Sequence, residues 1–263
     1  MPINAITGLL SIVDDLLADK INRKVAYSKI ISMTLEKHLE KFAMALGQLV
    51  RRLPSEPIRE DFGEAELCSR FVDPFLSGLF DNPDDDVYLR WTNVFNGKTN
   101  EQPAICITRF CGANWEMNVG YGEVQCAARD KDDHVICRDL LKLTVSCKEA
   151  LDEQLMEGML AIQVLGRTIK FYLLVLPATG LYALIDLAVI EVPDSLKSLP
   201  SLVTEAANII KVLDIFERLC VPASDVATTM SRRTPTLSLS QLGQLFAISE
   251  HRKRPRHLRP QSN

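Results

Sequence analysis

The sequence predicts an α/β protein in which helices flank a central mixed sheet and a helical hairpin comes first. Three observations support this prediction: apolar stripes with helical spacing, alternating or β-branched runs in the middle of the chain, and turn residues between those runs. The chain has 263 residues, of which 47% are hydrophobic and 24% charged, as is ordinary for a globular protein with a large core.

The sequence predicts an N-terminal helical region over residues 1–53. One apolar stripe lies within residues 6–17 and a second within residues 35–49, and the Asn-Arg-Lys run at 22–24 predicts a break between them. The plain interpretation is two helices that pair as a hairpin, and the alternative is a homodimer or a protein partner bound through these N-terminal helices. Pro54 and Pro57 predict a linker after these helices.

The sequence predicts the α/β domain over residues 60–221. It predicts a largely disordered basic tail, rich in Ser, Thr, Arg and Pro, over residues 222–263. Turn chemistry between the last three strands predicts an antiparallel meander. In chain order the elements are a helix at 63–80 that Pro74 kinks, strands at 87–94, 105–110 and 119–127, a helix at 137–151, strands at 159–165, 168–176 and 181–192, and a helix at 201–220.

Charge and cysteine content limit the function classes. The net charge is −4, so the whole chain is not a basic nucleic-acid binder, but residues 251–263 contain five Lys and Arg and no acid. Removing those five positive charges leaves −9 on residues 1–250. The seven cysteines show no CxxC pair and no zinc spacing, which predicts buried free thiols in a reducing compartment. With no signal peptide or membrane-spanning run visible, we expect the nucleus or cytoplasm and no membrane partner.

Two short runs and one helix carry a family resemblance. Pro103-Ala104 precedes the second strand, Glu123-Val124-Gln125 lies on the third, and Glu66 lies on the helix before the sheet. This layout resembles the PD-(D/E)XK nuclease superfamily, with its restriction-endonuclease-like fold, over about residues 60–220. The chain is also similar to fungal proteins of unknown function that carry runs like SRFVDPFLSGLF and TGLYAL.

The resemblance implies a site with two substitutions. In the family, an Asp follows the Pro, an acid and a Lys lie two residues apart on the next strand, and a helix Glu often joins them; the acids hold a divalent metal, and the Lys positions water and phosphate. Here Glu66 matches the helix acid and Glu123 the strand acid, but Ala104 stands in place of the Asp and Gln125 in place of the Lys.

The resemblance therefore implies a catalytically degenerate module that binds nucleic acid or a protein without cleavage. One alternative is an active metal-dependent nuclease that holds Mg²⁺ through Glu66, Glu123 and a relocated acid such as Glu101. Another is a structural or protein-interaction protein. Enzymatic activity is thus an open question, and the two substitutions favour its absence.

Basic residues complete the set of candidate sites. Those near the expected site are Arg109, Arg129, Arg138 and Lys142, and those in the tail are Arg252, Lys253 and Arg254. We expect the first group to contact phosphates and the tail to act as a nucleic-acid tether or nuclear-import signal. The structural alternatives are that Glu123 pairs with Arg129, Arg138 or Lys142 and that Glu66 is a solvated helix residue.

Overall fold

The computed structural model describes residues 3–60, 63–92, 103–111, 114–125, 133–237 and 241. Six strands form one sheet, in which each strand lies beside the next in the chain. Among the described strands, β3 and β4 alone pair in parallel, so the sheet is mixed, as the sequence predicts. The strands are β1 (Val87–Trp91), β2 (Ile105–Cys111), β3 (Asn114–Gln125), β4 (Gly158–Leu165), β5 (Thr168–Ala178) and β6 (Leu181–Glu191).

Nine helices surround this sheet in the described part of the chain, and the parallel β3–β4 connection runs through the longest of them. They are α1 (Ile3–Leu17), α2 (Arg23–Ile31), α3 (Lys37–Arg52), α4 (Glu64–Leu67), α5 (Asp73–Phe80), α6 (Asp133–Gln154), α7 (Leu199–Thr204), α8 (Ala206–Leu219) and α9 (Val226–Arg232). The single helix expected at 201–220 is thus two helices that meet at Glu205. The α/β class with an N-terminal helical region is confirmed.

The N-terminal region contains three helices where the sequence predicts two. Asn22 does mark a break, because its side chain accepts a hydrogen bond from the Val25 N–H and caps α2. The apolar stripe of α3 is buried inside the same chain and packs against α5 and α8. Glu217 of α8 accepts hydrogen bonds from His38 and Lys41 of α3 at 3.0 and 3.1 Å. The stripe considered for a homodimer seam therefore contributes to the core of the single chain.

Helices α3 and α5 approach each other closely at Gly78. A Cβ built at Gly78 would lie 2.3 Å from the Ala45 Cα and 2.5 Å from the Ala45 nitrogen. Backbone atoms cannot yield as the end of a flexible side chain does, so only glycine permits this crossing. The first helical region and the α/β region thus share one apolar core across the Pro54–Pro57 joint.

The helix predicted at 63–80 is interrupted before Pro74 by one π-helical turn over Cys68–Val72. The Asp73 N–H donates to the Cys68 carbonyl five residues earlier, and Pro74 has no N–H to donate. The wider turn accommodates the proline ring without ending the helix. The irregularity expected from Pro74 is therefore a π turn in an otherwise continuous helical segment.

The two faces of the sheet differ sharply in chemistry. One face packs on α5 and α8, through contacts such as Phe80 with Phe171 and with Phe216. This face is apolar across β2 to β5: Ile105, Ile107, Gly120, Gly122, Val124, Leu160, Ile162, Val164, Ile169, Phe171 and Leu173. The opposite face packs on α6 and carries polar groups on every one of these strands: Thr108, Tyr121, Glu123, Gln125, Gln163, Lys170 and Tyr172.

Candidate functional site

Glu123 lies near the carboxyl end of β3, on the face that α6 covers. Its partner in β4 is Gln163, and extending the β2–β3 register by one residue beyond the Ile105–Gly122 pair places Ala104 opposite it. Partners across a ladder point to the same face, as do residues two apart on one strand. Ala104, Glu123, Gln125 and Gln163 therefore share one patch of the sheet, which we call the β3 site.

Gln125 is tied to the helix above it. Its Nε2 donates a very short hydrogen bond to Oδ2 of Asp139 on α6. The side chain is 6% exposed, and its Oε1 has no partner among the described residues. Gln163 makes a similar link, since its Nε2 donates to the Ile136 carbonyl at 3.1 Å and its Oε1 accepts from the Tyr172 hydroxyl at 3.4 Å. These two amides therefore join α6 to the sheet through polar contacts.

The Glu123 carboxyl group is held in an environment that disfavours its charge. Its pKa is raised to about 7, first by burial, then by the nearby Asp139 carboxylate, with a smaller effect of Glu64 in the same direction. The Lys142 ammonium acts in the opposite direction. Charged groups of α6 and α4 thus act on the Glu123 carboxyl group of β3. A carboxyl group with such a pKa exchanges its proton near neutral pH.

Glu66, the helix acid implied by the resemblance, forms an ion pair within its own helical segment. Its Oε1 lies 2.9 Å from Nη2 of Arg70, and both side chains are about two-fifths exposed. Glu64, two residues earlier, is the acid of α4 that affects Glu123. The Glu66 carboxylate is thus paired within its own segment, and Glu64 is the acid of α4 that acts on the Glu123 carboxyl group.

The candidate phosphate-binding residues lie in several places. Lys142 is near Glu123, and Arg138, one turn earlier on α6, has its Nε 3.7 Å from Oδ1 of Asp139. Arg109 is exposed on β2, five residues from Ala104 and so about 17 Å along the strand. Arg129, Glu101 and the tail residues Arg252, Lys253 and Arg254 lie outside the described residues.

The side chains at the β3 site do not fit a resident divalent cation. Mg²⁺ requires oxygen ligands in near-ideal octahedral geometry, and Ala104 supplies none. In the ranges that the structure describes, no group of three or more His, Cys, Asp and Glu side chains is arranged to hold a metal ion. Glu66 is directed to Arg70, which leaves Glu123 as the only residue of the predicted metal pair at this site.

Sequence reasoning missed Asp139, Glu64 and Gln163. Gln163 gave a detectable signal, since it is the one polar residue in the otherwise apolar run of β4. Asp139 and Glu64 lie on helix surfaces with many charged residues, and the sequence alone does not specify which of them faces Glu123.

The comparisons with known proteins add nothing to this geometry. No helix in the described part of the chain is long and apolar enough to span a membrane. No protein-family model, no curated protein sequence and no solved structure matches the chain.

Proposed function

We propose that the chain is a nuclease-like α/β module that has lost cleavage and acts by binding, with nucleic acid as the favoured ligand. The observation that carries this proposal is the contact between Gln125 and Asp139. At the position of the family's lysine stands a neutral amide, and its N–H group is used to fasten α6 to β3. It therefore supplies no positive charge to a phosphate in a transition state.

The arrangement of elements supports the same proposal. A helical segment precedes three antiparallel strands, α6 follows, and β4 then pairs in parallel with β3. Ala104 lies opposite Glu123, where the resemblance requires its Asp. The expected order of elements thus accompanies a site that lacks two of its chemical groups.

An exposed aromatic surface on the same face of the sheet, toward the amino end of β3, supports nucleic acid as the ligand. Arg90 lies opposite Cys106, which in turn lies opposite Tyr121, so Arg90 shares the polar face with Glu123. The Arg90 guanidinium lies 4.2 Å from the centroid of the exposed Trp115 ring. Exposed aromatic rings beside arginine stack unpaired bases with little sequence preference.

Binding to single-stranded oligonucleotides tests this surface. We expect Trp115→Ala to weaken binding, measured by fluorescence anisotropy, by about fivefold to a hundredfold, which corresponds to about 1–3 kcal/mol for one stacked base. Arg218→Ala is the matched control, since Arg218 is exposed on α8, which packs on the opposite face of the sheet. An equal loss in both variants, or no binding by the unmodified chain, contradicts the nucleic-acid proposal.

A restoration experiment tests the degenerate site directly. We expect no Mg²⁺- or Mn²⁺-dependent cleavage of DNA or RNA by the unmodified chain. The double change Ala104→Asp with Gln125→Lys restores both missing groups, and we expect calorimetry to detect divalent-metal binding. The same variant with Glu123→Gln added is the control and should lose that binding. A folded double variant that binds no metal contradicts the assignment of these positions.

The enzyme alternative rests on the residues that surround Glu123. Glu64 and Asp139 provide carboxyl groups and Lys142 an ammonium group in place of the two missing ones. If this alternative holds, the unmodified chain cleaves nucleic acid with Mg²⁺, and both Glu123→Ala and Lys142→Ala abolish cleavage. If the unmodified chain does not cleave nucleic acid, the binding module and the structural alternative remain. The oligonucleotide experiment distinguishes these two. The basic tail remains a predicted tether or import signal.

A further inference from the structure

The two edges of the sheet are built differently. The β1 edge is only five residues long, and the carboxylate of Asp81 occupies one of its N–H groups, accepting from Leu89 at 2.5 Å. Three aspartates, residues 84–86, precede it. Short length and charge are the usual means by which proteins prevent a sheet edge from pairing with another chain. The β1 edge is therefore protected.

The β6 edge has none of these protections. It is eleven residues long and, among the described residues, has a neighbouring strand on only one side. Leu181 and Ile185 are 56% and 46% exposed, and Asp186 is the one charged residue between positions 181 and 190. A long apolar edge with unpaired backbone groups is a template for another strand.

We propose that β6 pairs in antiparallel fashion with β6 of a second copy of this chain. A two-fold axis at Ala183 places Leu181 opposite Ile185 of the second copy, on one face. Cross-strand pairs of apolar side chains stabilise such ladders. Residues 181, 183 and 185 share this face, because Ala183 and Ile185 lie opposite Val175 and Leu173 of β5.

The charges and the strand irregularity agree with this register. Asp186 lies opposite Gly180 of the second copy, so no like charges meet. The Gly180 N–H donates to the Arg232 carbonyl at 2.8 Å, and Asp186 thus approaches the end of α9 that carries Arg232 and Arg233. The irregularity in β5–β6 pairing between Asp186 and Ala188 ends the ladder, which gives it about seven residues.

Sedimentation velocity over a wide concentration range tests the proposal. We expect a reversible monomer–dimer equilibrium, which Ile185→Lys weakens at least about tenfold because it buries a charge in the new ladder. Leu141→Lys is the matched control, since Leu141 is 45% exposed on α6 and lies away from β6. Both variants should keep the thermal unfolding of the unmodified chain.

Cysteine cross-linking tests the register independently. In a Cys137→Ser background, Ala183→Cys faces its own copy across the two-fold axis at a distance that suits a disulfide. Leu181→Cys is the control, since its two copies lie about 13 Å apart. A chain that is monomeric at every concentration overturns the proposal, as does a dimer that is insensitive to Ile185→Lys and gives no Ala183→Cys cross-link. Protection of the β6 amides only by an added extended peptide also overturns it, because the occupant is then a different partner.

Discussion

The two faces of the sheet use the same strands for different purposes. The face against α5 and α8 is apolar at its centre, and α5 in turn approaches α3 so closely at Gly78 that no side chain fits between them. The face against α6 holds buried amides and the Glu123 carboxyl group, which cost free energy unless they are hydrogen-bonded. Because the pKa of Glu123 is raised to about 7, its contribution to stability is lost as the pH rises above about 7. The difference indicates that the two faces contribute unequally to stability, and that the apolar face contributes more at neutral pH.

The largest effect should come from breaking the apolar face at Gly78. We expect Gly78→Ala to lower the free energy of unfolding by about 4 kcal/mol, because its Cβ overlaps the Ala45 backbone. Gly63→Ala is the control, since a Cβ there meets no atom within 4 Å. Urea unfolding followed by circular dichroism measures both.

The same experiment tests the boundary at Pro54 and Pro57. Because α3 packs on both α5 and α8, we expect one cooperative transition in Gly78→Ala, at a lower urea concentration. Two separated transitions would show that residues 1–53 fold as an independent domain.

The second effect concerns the polar face and depends on pH. The pKa of Glu123 is about 7 in the folded chain, against 4.5 for the ordinary side chain. The folded state therefore binds the proton more tightly than the unfolded state does. The resulting contribution of Glu123 to the free energy of unfolding is full below about pH 4.5, decreases as the pH rises and is lost above about pH 7. Between these two pH values the free energy of unfolding falls by up to about 3 kcal/mol. Glu123→Gln removes this dependence, and it should be more stable than the unmodified chain above about pH 7.

Urea unfolding at about pH 5 and about pH 8 measures this difference. Glu153→Gln, at an exposed position of α6, is the control and should keep the pH profile of the unmodified chain. Identical profiles for Glu123→Gln and the unmodified chain would show that Glu123 titrates alike in both states.

The smallest effect should come from Lys148, at the margin of the polar face. It is 13% exposed, and its Nζ donates to Oδ2 of Asp152 at 2.8 Å and to the Thr234 carbonyl and the Thr236 hydroxyl at 2.7 Å. We expect Lys148→Met to lower the free energy of local opening of residues 233–237 by about 2 kcal/mol. Faster trypsin cleavage after Arg233 measures this loosening. Lys211→Met, at an exposed position of α8, should leave the cleavage rate unchanged.

The sequence predicts the second half of the sheet well because local chemistry determines it. Gly166 and Gly180 adopt positive φ values of 58° and 70° at the two turns, so the strands on either side end where the turn residues require. Helix α2 escaped prediction because only Ala26 and Ile30 of its nine residues are buried, which gives no clear stripe. The contact between Gln125 and Asp139 was equally invisible, since it depends on how α6 lies across β3. The β3 site is thus predictable in its strand residues and not in its helix residues.

The π turn before Pro74 has a consequence for the acids near Glu123. Such a turn contains one residue more than an α-helix needs, and each residue of an α-helix turns the chain by about 100°. Deleting the exposed Ser69 would convert Cys68–Val72 to ordinary helix while Phe75 and Leu79 stayed in the core. Glu64 would then rotate by about a quarter of a circle about the helix axis, which would change its electrostatic effect on Glu123. The direction in which this acid points is therefore set by the number of residues in the segment, and a change in length moves it without any change in its identity.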